Sequence, residues 1–91
     1  MMDEARHVVV TGEVQGVGFR AWARDTAQEL GLTGWVRNRP DGTVEAHLEG
    51  SGTKIAEMID RLQQGPSAGR VDDVAAEAAE PDGSVDFGIR G

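Results

Sequence analysis

Residues 7–30 read HVVVTGEVQGVGFRAWARDTAQEL, and this stretch decides the fold. The part from His7 to Val14 is rich in β-branched residues, which is typical of a strand. A short glycine-containing segment follows at 15–20. Beyond it, apolar and small residues recur with the spacing of one helix face: Trp22, Ala23, Thr26, Ala27 and Leu30. Gly31 suits the left-handed conformation that ends many helices. The stretch therefore predicts a strand, a tight turn and a helix.

The next segments predict two further strands joined by a tight turn. Residues 34–39 form the first of these strands, and Pro40-Asp41-Gly42 form the turn. In residues 43–49 apolar and polar side chains alternate, with Val44, Ala46 and Leu48 on one face and Thr43, Glu45, His47 and Glu49 on the other. We expect the first face to be buried and the second to be exposed to solvent.

The last third of the chain contains one segment that the residues leave open. A second helix starts near Gly52, carries an apolar stripe and ends at Gly65-Pro66; the stripe consists of Ile55, Met58, Ile59 and Leu62. Residues 71–80 favour a helix by composition, whereas the alternation of Val74, Ala76 and Ala78 favours a strand equally well. A final alternating trio, Val85, Phe87 and Ile89, predicts a last strand.

The element order β-α-β-β-α-(β)-β indicates one α+β domain over residues 1–91. Two helices can cover only one face of a sheet, so we expect a two-layer sandwich. The ferredoxin-like βαββαβ arrangement, an antiparallel sheet with two helices on one face, fits this order.

The composition excludes cysteine chemistry, and its charge disfavours some kinds of partner. The chain contains no cysteine, which excludes disulfides and thiolate chemistry. Its net charge is −7, and residues 41–91 carry all of the excess because residues 1–40 hold five basic and five acidic side chains. Binding to a nucleic-acid backbone needs a basic face, so no nucleic-acid partner is expected. No signal-like or membrane-spanning stretch is visible either. We expect a cytoplasmic monomer without a membrane partner.

The turn at 15–20 has the features of an anion-binding loop. Gly16 and Gly18 let the backbone point its N–H groups inward, and the following helix N-terminus adds partial positive charge. Arg20 opens that helix, and its planar fork can hold two phosphoryl oxygens at once. An ordinary glycine turn with a solvated arginine fits the same residues. Residues 16–21 also match the dinucleotide pattern G-x-G-x-x-A, but the chain is too short for that fold.

A second candidate residue lies on the following strand. Asn38 closes the segment Gly34-Trp35-Val36-Arg37-Asn38, and its side chain offers both a donor and an acceptor with which to orient a water molecule. Asparagine is also common beside turns for purely local reasons. His7 and His47 have no second ligand at metal spacing in the sequence, so no metal site is predicted. Trp22 is expected in the core, and Trp35 is expected to pack on the sheet.

Together, Val14-Gln15-Gly16-Val17-Gly18-Phe19-Arg20 and Gly34-Trp35-Val36-Arg37-Asn38 resemble the two signature motifs of the acylphosphatase family. The resemblance extends over essentially the whole chain. It implies that residues 71–80 form a strand and that the small-molecule substrate is an acyl phosphate, with inorganic phosphate as product. It also implies that Arg20 fixes the substrate and Asn38 positions the attacking water, with no cofactor and no metal. The implied substrate-binding residues are Gln15, Gly16, Val17, Gly18, Phe19 and Arg20.

Three other functions fit parts of this pattern. One is a non-catalytic phosphate-binding domain of the same fold, and another is an enzyme that acts on other phosphoryl compounds. The third is an RNA-binding βαββαβ domain, which would need exposed aromatic residues on the third strand. Glu45, His47 and Glu49 occupy those positions, and an acidic row repels RNA.

Overall fold

The computed structural model describes residues 3–91, so Met1 and Met2 of the expected domain lie outside the described residues. Five strands and two helices follow one another along the chain: β1 (Glu4–Glu13), α1 (Phe19–Glu29), β2 (Thr33–Asn38), β3 (Val44–Gly50), α2 (Gly52–Gln64), β4 (Arg70–Ala78) and β5 (Phe87–Ile89). Within residues 3–91 no helix has the length and apolar character needed to cross a lipid bilayer.

The strands form one sheet in the order β4-β1-β3-β2-β5. The pairs β1–β3, β1–β4 and β2–β3 are antiparallel, as expected, but β5 lies parallel to β2. The sheet is therefore mixed at one edge, because β5 runs in the same direction as β2. Both helices pack over the sheet around a shared core. The α+β ferredoxin-like fold expected from the sequence is confirmed.

The segment that the residues left open is a strand. β4 pairs with β1 along most of its length, for example Val74 with Val10 and Ala76 with Val8. Val71 and Val74 pack partly buried against the core. Backbone pairing and packing thus outweigh the helical propensity of the alanines, as tertiary context commonly does.

The expectation for the two faces of β3 is only half right. Val44, Ala46 and Leu48 are buried, as predicted. On the opposite face His47 and Glu49 are also buried, at 6% and 7% exposure. The cause is the segment 79–86, which connects β4 at one edge to β5 at the other and passes over this face. There the backbone N–H of Asp82 donates to Glu49 Oε2 at 2.8 Å.

Among the aromatic residues, Trp35 lies on the same outer face and stacks on His47, with ring centroids 6.0 Å apart. Trp22 is only partly buried and packs on Phe19 at the edge of the core. The last strand is shorter than the alternation of Val85, Phe87 and Ile89 predicted. Val85 precedes β5 and is 89% exposed.

Candidate active site

The turn between β1 and α1 is a backbone cradle at a helix N-terminus. Gly16 and Gly18 adopt φ angles of 75° and 77°, in the left-handed region that favours glycine. The first bond inside α1 runs from Trp22 N–H to the Gly18 carbonyl at 3.0 Å. The N–H groups at positions 19–21 therefore have no acceptor within the helix. No side chain caps this end and no acidic residue stands in the first turn, so an anion meets no competitor there.

Arg20 is the cation of this cradle. Its side chain is half-buried, and within residues 3–91 its guanidinium forms neither an ion pair nor a hydrogen bond. The other arginines are occupied: Arg6, Arg24, Arg37, Arg39, Arg61 and Arg70 pair with carboxylates, and Arg90 lies over the ring of Trp35. Arg20 is thus available for an external anion.

Asn38 faces the same cavity from the end of β2. The cavity has a volume of about 190 Å³ and is lined by Val14, Gly16, Gly18, Phe19, Arg20, Ala21, Asn38 and Ile89. Asn38 Oδ1 is buried and has no hydrogen-bond partner among the described residues. Buried carbonyl oxygens are almost always paired, so an orphaned one indicates an acceptor position for water or ligand. The structure brings together Arg20 and Asn38, which are far apart in sequence.

The side chain of Gln15 has a different role from the one that its position suggests. Its Nε2 donates to the backbone carbonyls of Arg39 and Thr43, both at 2.8 Å. These bonds tie the loop to the β2–β3 turn immediately after Asn38. Phe19 is likewise turned inward, with its side chain 1% exposed in the core. Any contact of these two residues with a substrate must come from the backbone.

Sequence reasoning missed Ile89 as a member of this cavity. The residue stood out only as the last position of an alternating trio. Its placement beside Asn38 depends on the parallel pairing of β5 with β2, in which Val36 lies opposite Ile89. No local pattern in the sequence contains that pairing.

The sequence shows no second ligand at metal spacing for His47, but the fold places two acidic side chains beside it. Its Nε2 lies 2.7 Å from Glu49 Oε2 and 3.7 Å from Asp82 Oδ1, on the outer face of the sheet. Hydrogen bonds with Glu49 and Ser84 hold the pKa of Asp82 well below its usual range, against the opposing effect of burial. His7 similarly contacts Glu45 at 2.6 Å. None of these residues lines the cavity that holds Arg20, so this cluster fastens the segment 79–86 rather than serving that site.

These features define a ferredoxin-like α+β protein with an uncapped helix N-terminus and an arginine beside a small cavity at the start of α1. The family described as Acylphosphatase matches residues 6–89. An acylphosphatase of Rhodopseudomonas palustris strain CGA009 is 57% identical over 82 residues, covering 90% of this chain and 83% of that protein. A solved acylphosphatase from Coxiella burnetii has a TM-score of 0.93 and 39% identity. The match covers 97% of this chain and 93% of the Coxiella burnetii chain. A solved acylphosphatase from Bacillus subtilis has a TM-score of 0.94 and 32% identity. The match covers 99% of this chain and 100% of the Bacillus subtilis chain.

The chain therefore belongs to the acylphosphatase family and is an enzyme of that class, a hydrolase of acyl phosphates.

Proposed function

We propose that the cavity between the 15–20 loop and Asn38 is the active site, and that it cleaves an acyl phosphate to a carboxylate and inorganic phosphate. One observation carries this assignment. Arg20 and Asn38 line the same small cavity at a helix N-terminus, and within residues 3–91 neither the Arg20 guanidinium nor Asn38 Oδ1 has a partner. A cation without a partner suits the phosphoryl group, and an acceptor without a partner suits the water that attacks it.

The phosphoryl group is held by charge and by the backbone. Arg20 offers two parallel N–H donors to two of its oxygens, while the loop N–H groups and the α1 N-terminus take the third. These donors are already in place before substrate arrives. Preorganised donors stabilise the charge that shifts onto the phosphoryl oxygens in the transition state, usually the largest single contribution to catalysis.

Asn38 orients the attacking water. Its Oδ1 accepts a hydrogen bond from the water O–H, so that the water oxygen points at phosphorus in line with the leaving oxygen. The water oxygen forms the new P–O bond as the bond from phosphorus to the acyl oxygen breaks. The water proton passes to a phosphoryl oxygen of the substrate, because Arg20 is the one ionisable side chain among the described residues that line the cavity.

No general acid is needed on the leaving side. The leaving group is a carboxylate, a weak base that departs without protonation, unlike the alkoxide of an alkyl phosphate ester. Positioning and charge stabilisation, the main contributions in phosphoryl transfer, are then sufficient. We expect the reaction to proceed without a metal ion and in a monomer.

The test compares an aryl acyl phosphate with an alkyl phosphate ester, in the presence of a chelator. We expect many turnovers on the first compound and none above background on the second. A single stoichiometric binding event without turnover would identify a phosphate-binding domain instead. Activity that disappears with the chelator and returns with a divalent ion would contradict the proposed mechanism.

A further inference from the structure

His47, Glu49 and Asp82 form a polar group on the outer face of the sheet, called here the His47 cluster. His47 and Glu49 lie two residues apart on β3, so they point to the same face. Asp82 belongs to the segment 79–86, which crosses this face. The side chains of His47 and Glu49 are each 8% exposed, and that of Asp82 is 37% exposed. None of the three lines the cavity that holds Arg20, so the proposed mechanism does not use them.

Both carboxylates of the His47 cluster converge on one imidazole nitrogen. Glu49 Oε2 lies 2.7 Å and Asp82 Oδ1 lies 3.7 Å from His47 Nε2, and the three ligand atoms all lie within 4.8 Å of one another. Neighbouring ligand atoms of a tetrahedral zinc ion are about 3.3 Å apart, because each lies about 2.0–2.2 Å from the metal. The two observed distances lie on either side of that value. Shifts of about 0.5 Å at each carboxylate would therefore complete the coordination geometry.

The other histidine lacks this convergence, although it also has two acidic neighbours. Glu45 Oε2 lies 2.6 Å from His7 Nε2, whereas Glu77 Oε1 lies 3.5 Å from His7 Nδ1. The two ring nitrogens point in different directions, so an ion bound at one of them cannot reach the acid beside the other. The side chain of Glu77 is also 78% exposed. Composition is similar in the two groups, but only the His47 cluster directs three ligand atoms at one point.

Neighbouring groups hold these ligands in place. Trp35 stacks on the His47 ring, and its Nε1–H donates to Asp82 Oδ2 at 3.3 Å, which leaves Oδ1 on the side of His47. The N–H of Asp82 donates to Glu49 Oε2 at 2.8 Å, and the N–H and hydroxyl of Ser84 donate to Asp82 Oδ1. Contacts of this kind orient the ligands of a metal centre. An open cavity of about 360 Å³ that borders Trp35 and Asp82 gives an ion access.

The charge and the ligand types of the His47 cluster favour zinc. Two carboxylates beside a neutral imidazole carry two negative charges, and burying charge is costly unless a cation compensates for it. A proton on His47 supplies one positive charge, whereas a zinc ion supplies two and keeps all three side chains as ligands. Zinc accepts imidazole nitrogen together with carboxylate oxygen, while magnesium and calcium prefer oxygen ligands alone.

We propose that His47 Nε2, Glu49 Oε2 and Asp82 Oδ1 bind one Zn²⁺ ion, with water in the fourth position on the open side. The ion joins the segment 79–86 to β3 and so stabilises the folded protein. This inference is independent of the proposed function, because the active-site cavity contains none of these ligands.

The experiment measures zinc binding to protein that has been treated with a chelator and then desalted. Equilibrium dialysis against Zn²⁺ alone, in a buffer without phosphate, should give one ion per chain, and excess Mg²⁺ should not displace it. The melting temperature should rise by roughly 10–20 °C when zinc is about 100-fold above its Kd. Hydrolysis of an aryl acyl phosphate should be the same with and without zinc, at a temperature at which the metal-free protein is folded.

Three variants assign the bound ion to its ligands. Asp82→Asn keeps the size of the side chain and removes its charge, and His47→Gln removes the imidazole. Each should weaken zinc binding by at least about 100-fold, since the loss of an outer contact alone costs about 10–100-fold. His7→Gln is the matched control, because it removes the histidine whose acidic neighbours do not converge. It should change neither the zinc affinity nor the rise in melting temperature.

The remaining outcomes are also decisive. An unmodified protein without saturable zinc binding would overturn the site and leave a proton on His47 as the compensating charge. Unchanged affinity in Asp82→Asn, or an equal loss in His7→Gln, would place the ion elsewhere and overturn the assignment as well. Asp82 is partly exposed, so its variant still decides the question if His47→Gln fails to fold. Hydrolysis that requires zinc in the folded protein would contradict the proposed metal-free mechanism, whereas the zinc site would still stand on the dialysis result.

Discussion

The side-chain amide of Gln15 donates to the backbone carbonyl of Arg39 across 2.8 Å, and this contact joins the loop at 15–20 to the residue after Asn38. A second bond from the same nitrogen reaches the Thr43 carbonyl. The side chain of Gln15 thus adds to the pairing of β1 and β2 with β3, which already connects the two halves of the proposed site. We expect it to help fix the distance between the phosphoryl group and the attacking water.

Substitution of Gln15 should reduce both stability and turnover. Gln15→Ala removes two hydrogen bonds, although the Arg39 carbonyl keeps the Gly42 N–H and the Thr43 carbonyl keeps the Arg39 N–H as donors. At about 0.5–1.5 kcal/mol for each bond, the free energy of unfolding should fall by about 1–3 kcal/mol. Gln15→Glu should be worse, because it puts a carboxylate against two carbonyl oxygens. Denaturation curves and kcat values for both variants provide the measurement. A glutamate variant as stable and active as the unmodified protein would show that the contact has no role in positioning.

Substitution of Arg20 tests the phosphoryl site directly. Arg20→Ala should lower kcat/KM by at least roughly 100–1,000-fold, the usual loss for one preorganised transition-state donor. Arg20→Lys should recover little of this, because an ammonium group cannot grip two oxygens in a fixed plane. The measurement is kcat/KM of both variants and of the unmodified protein on an aryl acyl phosphate. Near-normal activity in the lysine variant would mean that charge alone is sufficient.

Asn38→Ala should separate turnover from binding. Most of the activity should be lost while the inhibition constant for inorganic phosphate stays close to normal, because the proposed partner of Asn38 is water. The fold should not suffer, since the substitution removes a buried oxygen that has no partner within residues 3–91. We expect an equal or slightly higher melting temperature, as is common when a functional residue is replaced. If phosphate affinity falls in step with the rate, Asn38 binds the substrate and the proposed role is wrong.

The parts of the site that the sequence predicts are those built from neighbouring residues. The glycine turn and Arg20 lie within one strand-turn-helix unit, whose conformation is set by local φ requirements and by the helix N-terminus. Asn38 could be placed near them only through the ferredoxin-like arrangement. The buried state of His47 could not be predicted, because its cover comes from the segment 79–86 and from Trp35. The position of Ile89 in the cavity lining could not be predicted for the same reason. It depends on the parallel pairing of β5 with β2, a long-range contact that leaves no local pattern in the sequence.

Glu45 should stabilise the fold at neutral pH and lose that contribution at low pH. Burial acts to raise its pKa, but hydrogen bonds from His7 and Arg37 outweigh burial and hold the pKa below the ordinary glutamate value of 4.5. A carboxyl with a lowered pKa stabilises the fold above the unfolded value and loses that contribution as the pH falls through the folded value. We therefore expect the unmodified protein to lose stability below about pH 4.5, with Glu45→Gln showing a shallower loss. Urea midpoints from pH 7 to pH 3 measure this. Glu80→Gln, at an exposed position, is the control. Identical pH profiles for the two variants would show that Glu45 does not cause the loss of stability at low pH.

Inorganic phosphate should stabilise the protein through the loop at 15–20, and this test does not depend on catalysis. Phosphate is the product of the reaction and matches the group that the cradle binds, whereas the unfolded chain has no cradle. Binding adds about 2.7 kcal/mol to the free energy of unfolding when phosphate is 100-fold above its Kd. In a domain of this size each kcal/mol raises the melting temperature by roughly 4–8 °C. Phosphate also stabilises many proteins by exclusion from their surface, and that effect does not saturate at the site. Arg20→Ala should keep the exclusion effect and lose the saturable part, when both proteins are melted in matched phosphate series at constant ionic strength. Parallel rises in the two melting temperatures would mean that the loop is an ordinary turn, because no specific binding at Arg20 would then remain to be explained.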